Sequence, residues 1–154
     1  MSIAQNDVAP SPPLEFCLRL ARAYAVVGRR LDNALSSLHG LSFSDFMLLF
    51  HLNRAPGNRL RRIDLAERLG LTASGVTRTL LPLEKLGLVE RQPDPRDARV
   101  GYAALTKGGQ RLLAHALTAA ESISQDAVQM LPADQLEQFS QFLGQLAGIN
   151  LSNN

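Results

Sequence analysis

Two arginines, Arg96 and Arg99, lie in the stretch LVERQPDPRDARVGYAALTKGG, residues 88–109, where the pattern suggests that the chain reverses. Leu88 and Val89 on one side, and Val100, Tyr102, Ala104 and Leu105 on the other, have the β-branched, aromatic and roughly alternating character of a two-stranded ribbon. Between them Pro93 and Pro95 lack an N–H and fix their own φ, while Asp94 and Asp97 can bond local backbone, so QPDPRDA is expected to be the turn. A guanidinium held at such a tip suits phosphate oxygens and the negative potential of a narrow minor groove. Asp97, two residues before Arg99, is expected to orient that guanidinium by a charge-assisted pair. Taken alone, these residues fit a solvated hairpin without a partner equally well, and the neighbouring elements must decide.

A second group with chemistry to offer is TASGVTR, residues 72–78. Thr72, Ala73, Ser74 and Gly75 have little bulk, so the positive end of a helix starting there can come close to phosphates. Ser74, Thr77 and Arg78 can offer hydrogen bonds to base edges in a major groove. The elements that must position them are written in RRIDLAERLGLTASGVTRTLLPLEKLGLVERQ, which has the punctuation of a helix-turn-helix. A short first helix is expected to bury Ile63, Ala66 and Leu69, and Gly70 to permit the tight turn. Thr72 then caps a second helix whose Val76 and Leu80 face the core and whose C′ residue is Gly87. Pro82 is expected to bend this helix well past its base-reading end. Helix, glycine turn, capped helix and basic-tipped ribbon is the chain order of a winged helix-turn-helix. A helix-turn-helix can also serve as a protein-binding scaffold, and charge is what favours nucleic acid.

The net charge of +2 is distributed unevenly over the 154 residues. Residues 54–111, which include Arg61, carry twelve basic and six acidic side chains, whereas residues 112–154 carry no Lys or Arg and four acids. A local arginine excess of this kind is the electrostatic footprint of a phosphate-binding surface. Cys17 is the single cysteine, which excludes an internal disulfide and fits a reducing, cytoplasmic setting. The chain shows neither a leader pattern nor an uninterrupted apolar run of membrane-spanning length, so no membrane partner is expected.

Long helical patterns flank the central unit. Residues 1–13 read as a disordered tail. Leu14, Leu18, Ala21, Ala25, Leu31, Leu35 and Leu38 then outline a first helix ending at His39-Gly40. Ser42 is the expected cap of a second helix carrying Phe43, Phe46, Met47 and Phe50. From Thr106, a long helix runs through Leu112, Leu113, Ala116, Ala120, Ile123, Ala127 and Met130; beyond Pro132 a last one carries Leu136, Phe139, Leu143, Leu146 and Ile149. The expected fold is mainly α with a small β-ribbon wing. A winged helix-turn-helix over 41–106 is flanked by dimerisation helices over 14–40 and 107–150. Leu14, Leu18, Leu136, Phe139, Leu143 and Leu146 would otherwise leave a large exposed apolar patch, which a twofold partner would cover. The same twofold sets two recognition helices about 34 Å apart and so demands an inverted repeat.

L-T-x-S-x-V-T-R at Leu71–Arg78, L-E-x-L-G-L-V-x-R at Leu83–Arg91, D-P-R-D-A-R at Asp94–Arg99 and L-T-x-x-G at Leu105–Gly109 together resemble the MarR family of bacterial transcription regulators. The resemblance implies a homodimer that binds a palindromic operator in double-stranded DNA, most simply as a repressor, and is released by a small aromatic or phenolic ligand or by an oxidant. It also implies that Thr72, Ala73, Ser74, Gly75, Thr77 and Arg78 lie near bases and phosphates, with Arg99 and Asp97 forming the wing contact.

Other functions find less support. His39, His51 and His115 are scattered, and His115 has Arg111 and Ala119 at the one-turn positions where a second zinc ligand would stand, so no metal, cofactor or catalytic site is expected. Oxidant sensing through Cys17 is an alternative, but the family's peroxide sensors resemble one another in tyrosines after the cysteine where this chain has Ala21 and Leu31; a buried, inert thiol is expected. A winged-helix adaptor that binds no DNA is the other alternative, and it predicts little salt-dependent affinity for nucleic acid. Phe46, Phe50 and His51 could wall a ligand pocket, with Arg19 or Arg22 anchoring a carboxylate, although all five serve equally well as core and surface.

Overall fold

Ser11 opens the first helix of the computed structural model, which describes residues 8–148. Its hydroxyl accepts from the Leu14 N–H at 3.4 Å, and helix α1 (Pro12–His39) follows. Pro12 and Pro13 therefore belong to the helix and not to a tail reaching residue 13, because the N–H groups of a first turn have no intrahelical partner for proline to remove. Of the rest of that expected tail, residues 8–11 precede the helix without regular structure and residues 1–7 lie outside the described part, as does Ile149.

Helix α2 (Phe43–Arg54) is capped by Ser42, which accepts from the Asp45 N–H at 3.0 Å. Asp32 of α1 accepts from the Phe43 N–H at 2.9 Å and fixes the corner between the two helices. A 3-10 turn, Pro56–Asn58, leads into strand β1 (Arg59–Arg61) and helix α3 (Arg62–Leu69). Gly70 then takes φ 64° and ψ 33°, a left-handed conformation natural to glycine, which lets the Leu71 N–H bond back to the Ala66 carbonyl at 2.9 Å and turns the chain into α4 (Ala73–Lys85). Strands β2 (Val89–Pro93) and β3 (Gly101–Leu105), helix α5 (Lys107–Val128) and helix α6 (Ala133–Leu146) complete the order.

The sheet is antiparallel with order β1-β3-β2, one strand more than the expected ribbon. Leu60 pairs with Ala103 and Arg61 with Tyr102 on one side of β3, while Gln92 faces Tyr102 from the other. Three residues are too few to show the alternation that betrays a strand in sequence, yet β1 covers an edge that β3 would otherwise leave open.

The core lies where α1, α2 and α5 meet the helix-turn-helix. Leu35, Leu48, Leu49, Leu52, Leu65, Val76, Leu80 and Leu83 are its fully buried side chains, and Val89, Ala103, Leu105, Leu113, Ala116 and Ala120 extend it across the sheet and α5. In α3 the buried pair is Leu65 and Ala66, with Leu69 partly buried against it, whereas Ile63 is 74% exposed and not in the core as its spacing suggested. Leu65 and Ile63 are about 200° apart around the helix, so the face that buries one must expose the other. Helix α5 stops at Val128, and Met130, expected to continue its stripe, is exposed. Helix α4 continues through Pro82 to Lys85, where Leu86 closes it.

Candidate nucleic-acid interface

Helix α4 owes its start to Thr72, whose hydroxyl accepts from the Gly75 N–H at 3.1 Å and lies 3.2 Å from the Ser74 hydroxyl. Val76, Leu80 and Leu83 bury one side of the helix, so Thr72, Ala73, Ser74, Thr77 and Arg78 fall on the exposed side, with Gly75 half-buried between. A Cβ on Gly75 would stand 3.2 Å from the Thr72 hydroxyl, so a larger residue would crowd the cap itself. The result is a helix N-terminus with free N–H groups, small side chains around it and one arginine a turn further on, able to receive an anion or a polyanion backbone.

The hydroxyls are less available than the sequence suggested. Thr77 Oγ1 donates to the Ala73 carbonyl at 3.2 Å and accepts from Arg62 Nη2 at 2.7 Å. Arg62 Nη1 also lies 3.9 Å from Glu84 Oε1. Arg62 thus links the start of α3 to the second and last turns of α4, and the sequence reading missed it because its partners are fifteen and twenty-two residues away. Burial, followed by the neighbouring Arg91, pushes the Arg62 guanidinium below its ordinary affinity for a proton, and Glu84 opposes both.

The wing tip spans residues 94–100. Asp94 Oδ1 accepts from the Arg96 N–H at 2.8 Å, and Asp97 Oδ1 accepts from the Arg99 N–H at 2.9 Å. Asp94 and Val100 close the loop through a backbone bond of 3.1 Å. Asp97 therefore restrains the tip, but through the backbone of Arg99 and not through its guanidinium as expected: the ion pairs of the described residues are Arg19 with Glu15 and Arg62 with Glu84. A carboxylate two residues before an N–H closes an Asx turn with no need of the long arginine side chain. Arg96 and Arg99 are both exposed and uncommitted by ion pairs.

Arg61 lies apart from α4, on the outer face of the sheet. The Tyr102 phenol beside it, with smaller help from Asp64, raises its proton affinity, and Arg59 covers the other part of the Tyr102 ring at 4.5 Å from its centroid. Arg59 also donates to Gln92 Oε1 at 3.3 Å. The contact of Arg59 with Tyr102 carried no signal in sequence, because β1 itself carried none.

The residues expected to form a ligand pocket are only partly brought together. Phe46 and Phe50 stack with ring centroids 5.9 Å apart, Phe46 within the core and Phe50 packed against it, and the Arg54 guanidinium lies 5.5 Å over Phe50. His51 is half-buried, and desolvation, then Arg68 and Arg54, lowers its pKa. Arg19 and Arg22 are exposed on α1, and Arg19 is already held by Glu15 at 2.7 Å on its own helix. Two open clefts are lined by none of these five residues: one runs along α5 from Leu117 to Gln125, the other lies between α3 and α4.

Leu14, Leu18, Phe139, Leu143 and Leu146 are exposed, and Leu136 is half-buried. Phe16 meets Phe142 edge-on at 5.7 Å, so the apolar faces of α1 and α6 adjoin. Cys17 is exposed in the same region and is not the buried thiol expected, because the first turns of α1 lie outside the core, whose α1 members are Leu31 and Leu35.

Comparison with known proteins places this fold among transcription regulators. A model of the MarR family matches residues 39–100, and the solved structures of similar fold include MarR-family regulators that superpose over nearly the whole chain. Over residues 39–100 the chain is similar to the MarR family. The family's regulator Sco3205 from Streptomyces coelicolor, solved in complex with DNA, is 26% identical and has a TM-score of 0.80 over 90% of this chain and 88% of its own. A MarR-family regulator from Rhodococcus sp. RHA1 shares the fold, with a TM-score of 0.81 at 22% identity over 90% of this chain and 96% of that one. The transcriptional regulator HosA of Escherichia coli O111:H- is 29% identical over 84 residues, which span 54% of this chain and 62% of HosA. These relatives are regulators and not enzymes. No helix among the described residues is long and apolar enough to cross a membrane.

Proposed function

We propose that this chain is a MarR-family regulator, a homodimer acting as a repressor, that binds an inverted repeat in duplex DNA. The observation that carries the reading is the presence of two independently built cationic features: the exposed, capped N-terminus of α4 with Arg78, and the Asx-turned wing with Arg96 and Arg99. Helix α4 fits the major groove, where Arg78 can bond the two acceptors of guanine, and the wing fits the backbone and minor groove. Arg61, on the sheet's outer face with Tyr102, serves phosphate and not bases. Resemblance to that family supports release by a small aromatic or phenolic ligand, with Phe46, Phe50 and His51 as its aromatic wall and Arg19 or Arg22 as anchor.

Selection of duplexes by the full chain from a randomised pool tests the reading. An enriched inverted repeat with centres about one helical turn apart is expected. Log affinity should fall with log salt by about 0.9 for each phosphate neutralised. A salt slope near zero, or no enrichment, would favour the adaptor reading over this one.

The exposure of Cys17 beside the apolar face of α1 and α6 favours one further reading, regulation by oxidation of that thiol. Peroxide should then lower operator affinity of the native chain and leave Cys17→Ser unaffected; equal responses would remove it.

A further inference from the structure

Thr77 is an exposed residue of α4 whose hydroxyl has little left to offer a base. A threonine hydroxyl has one proton and two lone pairs. The proton is given to the Ala73 carbonyl at 3.2 Å, and one lone pair takes the shorter, charge-assisted bond of 2.7 Å from Arg62 Nη2. Arg62 is itself confined: Glu84 stands 3.9 Å from its other terminal nitrogen, and the β3 backbone passes so close that a Cβ on Gly101 would stand 3.2 Å from Arg62 Cδ. The arginine is therefore held toward α4 from three sides, and the threonine oxygen is held with it.

What Thr77 still presents is its methyl group. It does so beside a largely apolar surface, since Thr77, Ala73, Leu71, Ile63 and Ala66 line, together with the charged Arg62 and Glu67, an open cleft of about 460 Å³ between α3 and α4, with Ile63 and Leu71 exposed. The floor of a major groove carries one apolar feature that distinguishes bases, the C5-methyl of thymine, and methyl-bearing side chains are its complement. We propose that Thr77 reads thymine through its methyl group, and that Arg62 is the positioning residue that commits the hydroxyl and so sets this preference. The inference rests on the duplex-binding reading above and adds the identity of one base and the side chain that selects it.

The test uses the full chain and the duplex it enriches from a randomised pool. Each thymine of that duplex is replaced in turn by deoxyuridine, which lacks only the C5-methyl, and affinity is measured by fluorescence anisotropy. At one thymine, and at its symmetry-related copy, the replacement should weaken binding roughly three- to fivefold, the effect of one methyl-sized group removed from an apolar contact. Thr77→Ser, which keeps the hydroxyl and drops the methyl, should erase that difference at the same base and nowhere else. Thr77→Val should retain it. Arg62→Met, which frees the hydroxyl to turn outward, should shrink it, and Arg62→Lys should restore part of it. If no thymine responds to deoxyuridine in the native chain, or if Thr77→Ser keeps the preference while Thr77→Val loses it, the hydroxyl or another residue is the reader and the inference is overturned. The deoxyuridine arm needs no variant to fold. Failure to enrich any duplex is a different outcome, which removes the DNA reading itself.

Discussion

Gly109 sits where the first turn of α5 meets the backbone of Leu88. Thr106, the cap of α5, accepts from the Gly109 N–H at 3.0 Å and donates toward the Gly87 and Leu88 carbonyls at 2.6 and 3.0 Å. A Cβ on Gly109 would collide with the Leu88 carbonyl oxygen and come within 2.6 Å of Leu105 Cδ1, whereas one on Gly108 would find its nearest neighbour at 3.5 Å. Gly109→Ala should therefore destabilise the chain by about 1–3 kcal/mol, as overpacking does, while Gly108→Ala should be neutral or stabilising by up to about 1 kcal/mol. Denaturant unfolding of the pair checks this, and equal midpoints would show that the strand yields to the helix. His51 gives a second residue-scale prediction. Its pKa is lowered in the folded chain, so near and below the ordinary histidine range, about pH 6.5, the unfolded chain binds the extra proton more readily. The stability contributed by neutral His51 is full above that range and is lost as pH falls toward the lowered value. The melting temperature of the native chain should drop between about pH 7 and 5 by more than that of His51→Gln; parallel profiles would show that burial of His51 does not govern acid sensitivity.

At the scale of elements, what could be read in the sequence was what neighbouring residues decide. Ser42, Thr72 and Thr106 each cap the helix that follows, and Gly70 and Gly87 turn with positive φ, because caps and turns are settled within a few residues. Strand β1 and the solvent-facing side of Ile63 were illegible for the opposite reason: each depends on a partner brought from elsewhere, β3 in one case and the Leu65 face of the core in the other. The site shows the same division. Exposed positions on α4 follow from helical periodicity, but the commitment of Thr77 to Arg62 needs the fold. The wing's internal bonding is also a fold-level fact, and it changes the expected result of mutation. Since the Asp97 carboxylate bonds the Arg99 N–H, Asp97→Asn should preserve the tip and, with one less negative charge near phosphate, bind duplex DNA at least as tightly as the native chain. Asp97→Ala loses the turn and should bind roughly two- to tenfold more weakly, the range of one hydrogen bond. Arg99→Ala should weaken cognate and unrelated duplexes alike and make the salt slope shallower by about one unit, whereas Arg78→Ala should cost about 1–3 kcal/mol on the cognate duplex only. Asn and Ala equally impaired at position 97 would return the carboxylate to the guanidinium-pairing role.

At the scale of the whole molecule, the apolar surface is in the wrong place for a monomer. The winged unit buries Leu48, Leu49, Leu52, Leu65, Leu80 and Leu83, yet α6 contains no buried residue, and Phe139, Phe142, Leu143 and Leu146 lie between 44 and 53% exposed. On α1, Leu14, Phe16 and Leu18 are exposed to a similar degree, and the contact of Phe16 with Phe142 joins the two faces into one surface. No Lys or Arg lies beyond Arg111 to interrupt it. A continuous patch of this kind calls for a cover, and in the proposed dimer a second copy supplies it and brings two α4 helices together. Two linked half-sites then bind with the gain of an intramolecular second step, a factor on the order of 10² to 10⁴ over a single one. Placing glutamate at Phe139 and Leu143 together should put like charges face to face across the twofold, yielding a folded monomer that keeps the melting behaviour of the winged unit. Its affinity for the full inverted repeat should fall by that linkage factor, while its affinity for an isolated half-site should stay within a few-fold of the native chain's. Sedimentation and anisotropy on the same samples separate the outcomes: a native chain that sediments as a monomer at micromolar concentration, or a double variant that remains dimeric, would place the interface somewhere other than α1 and α6.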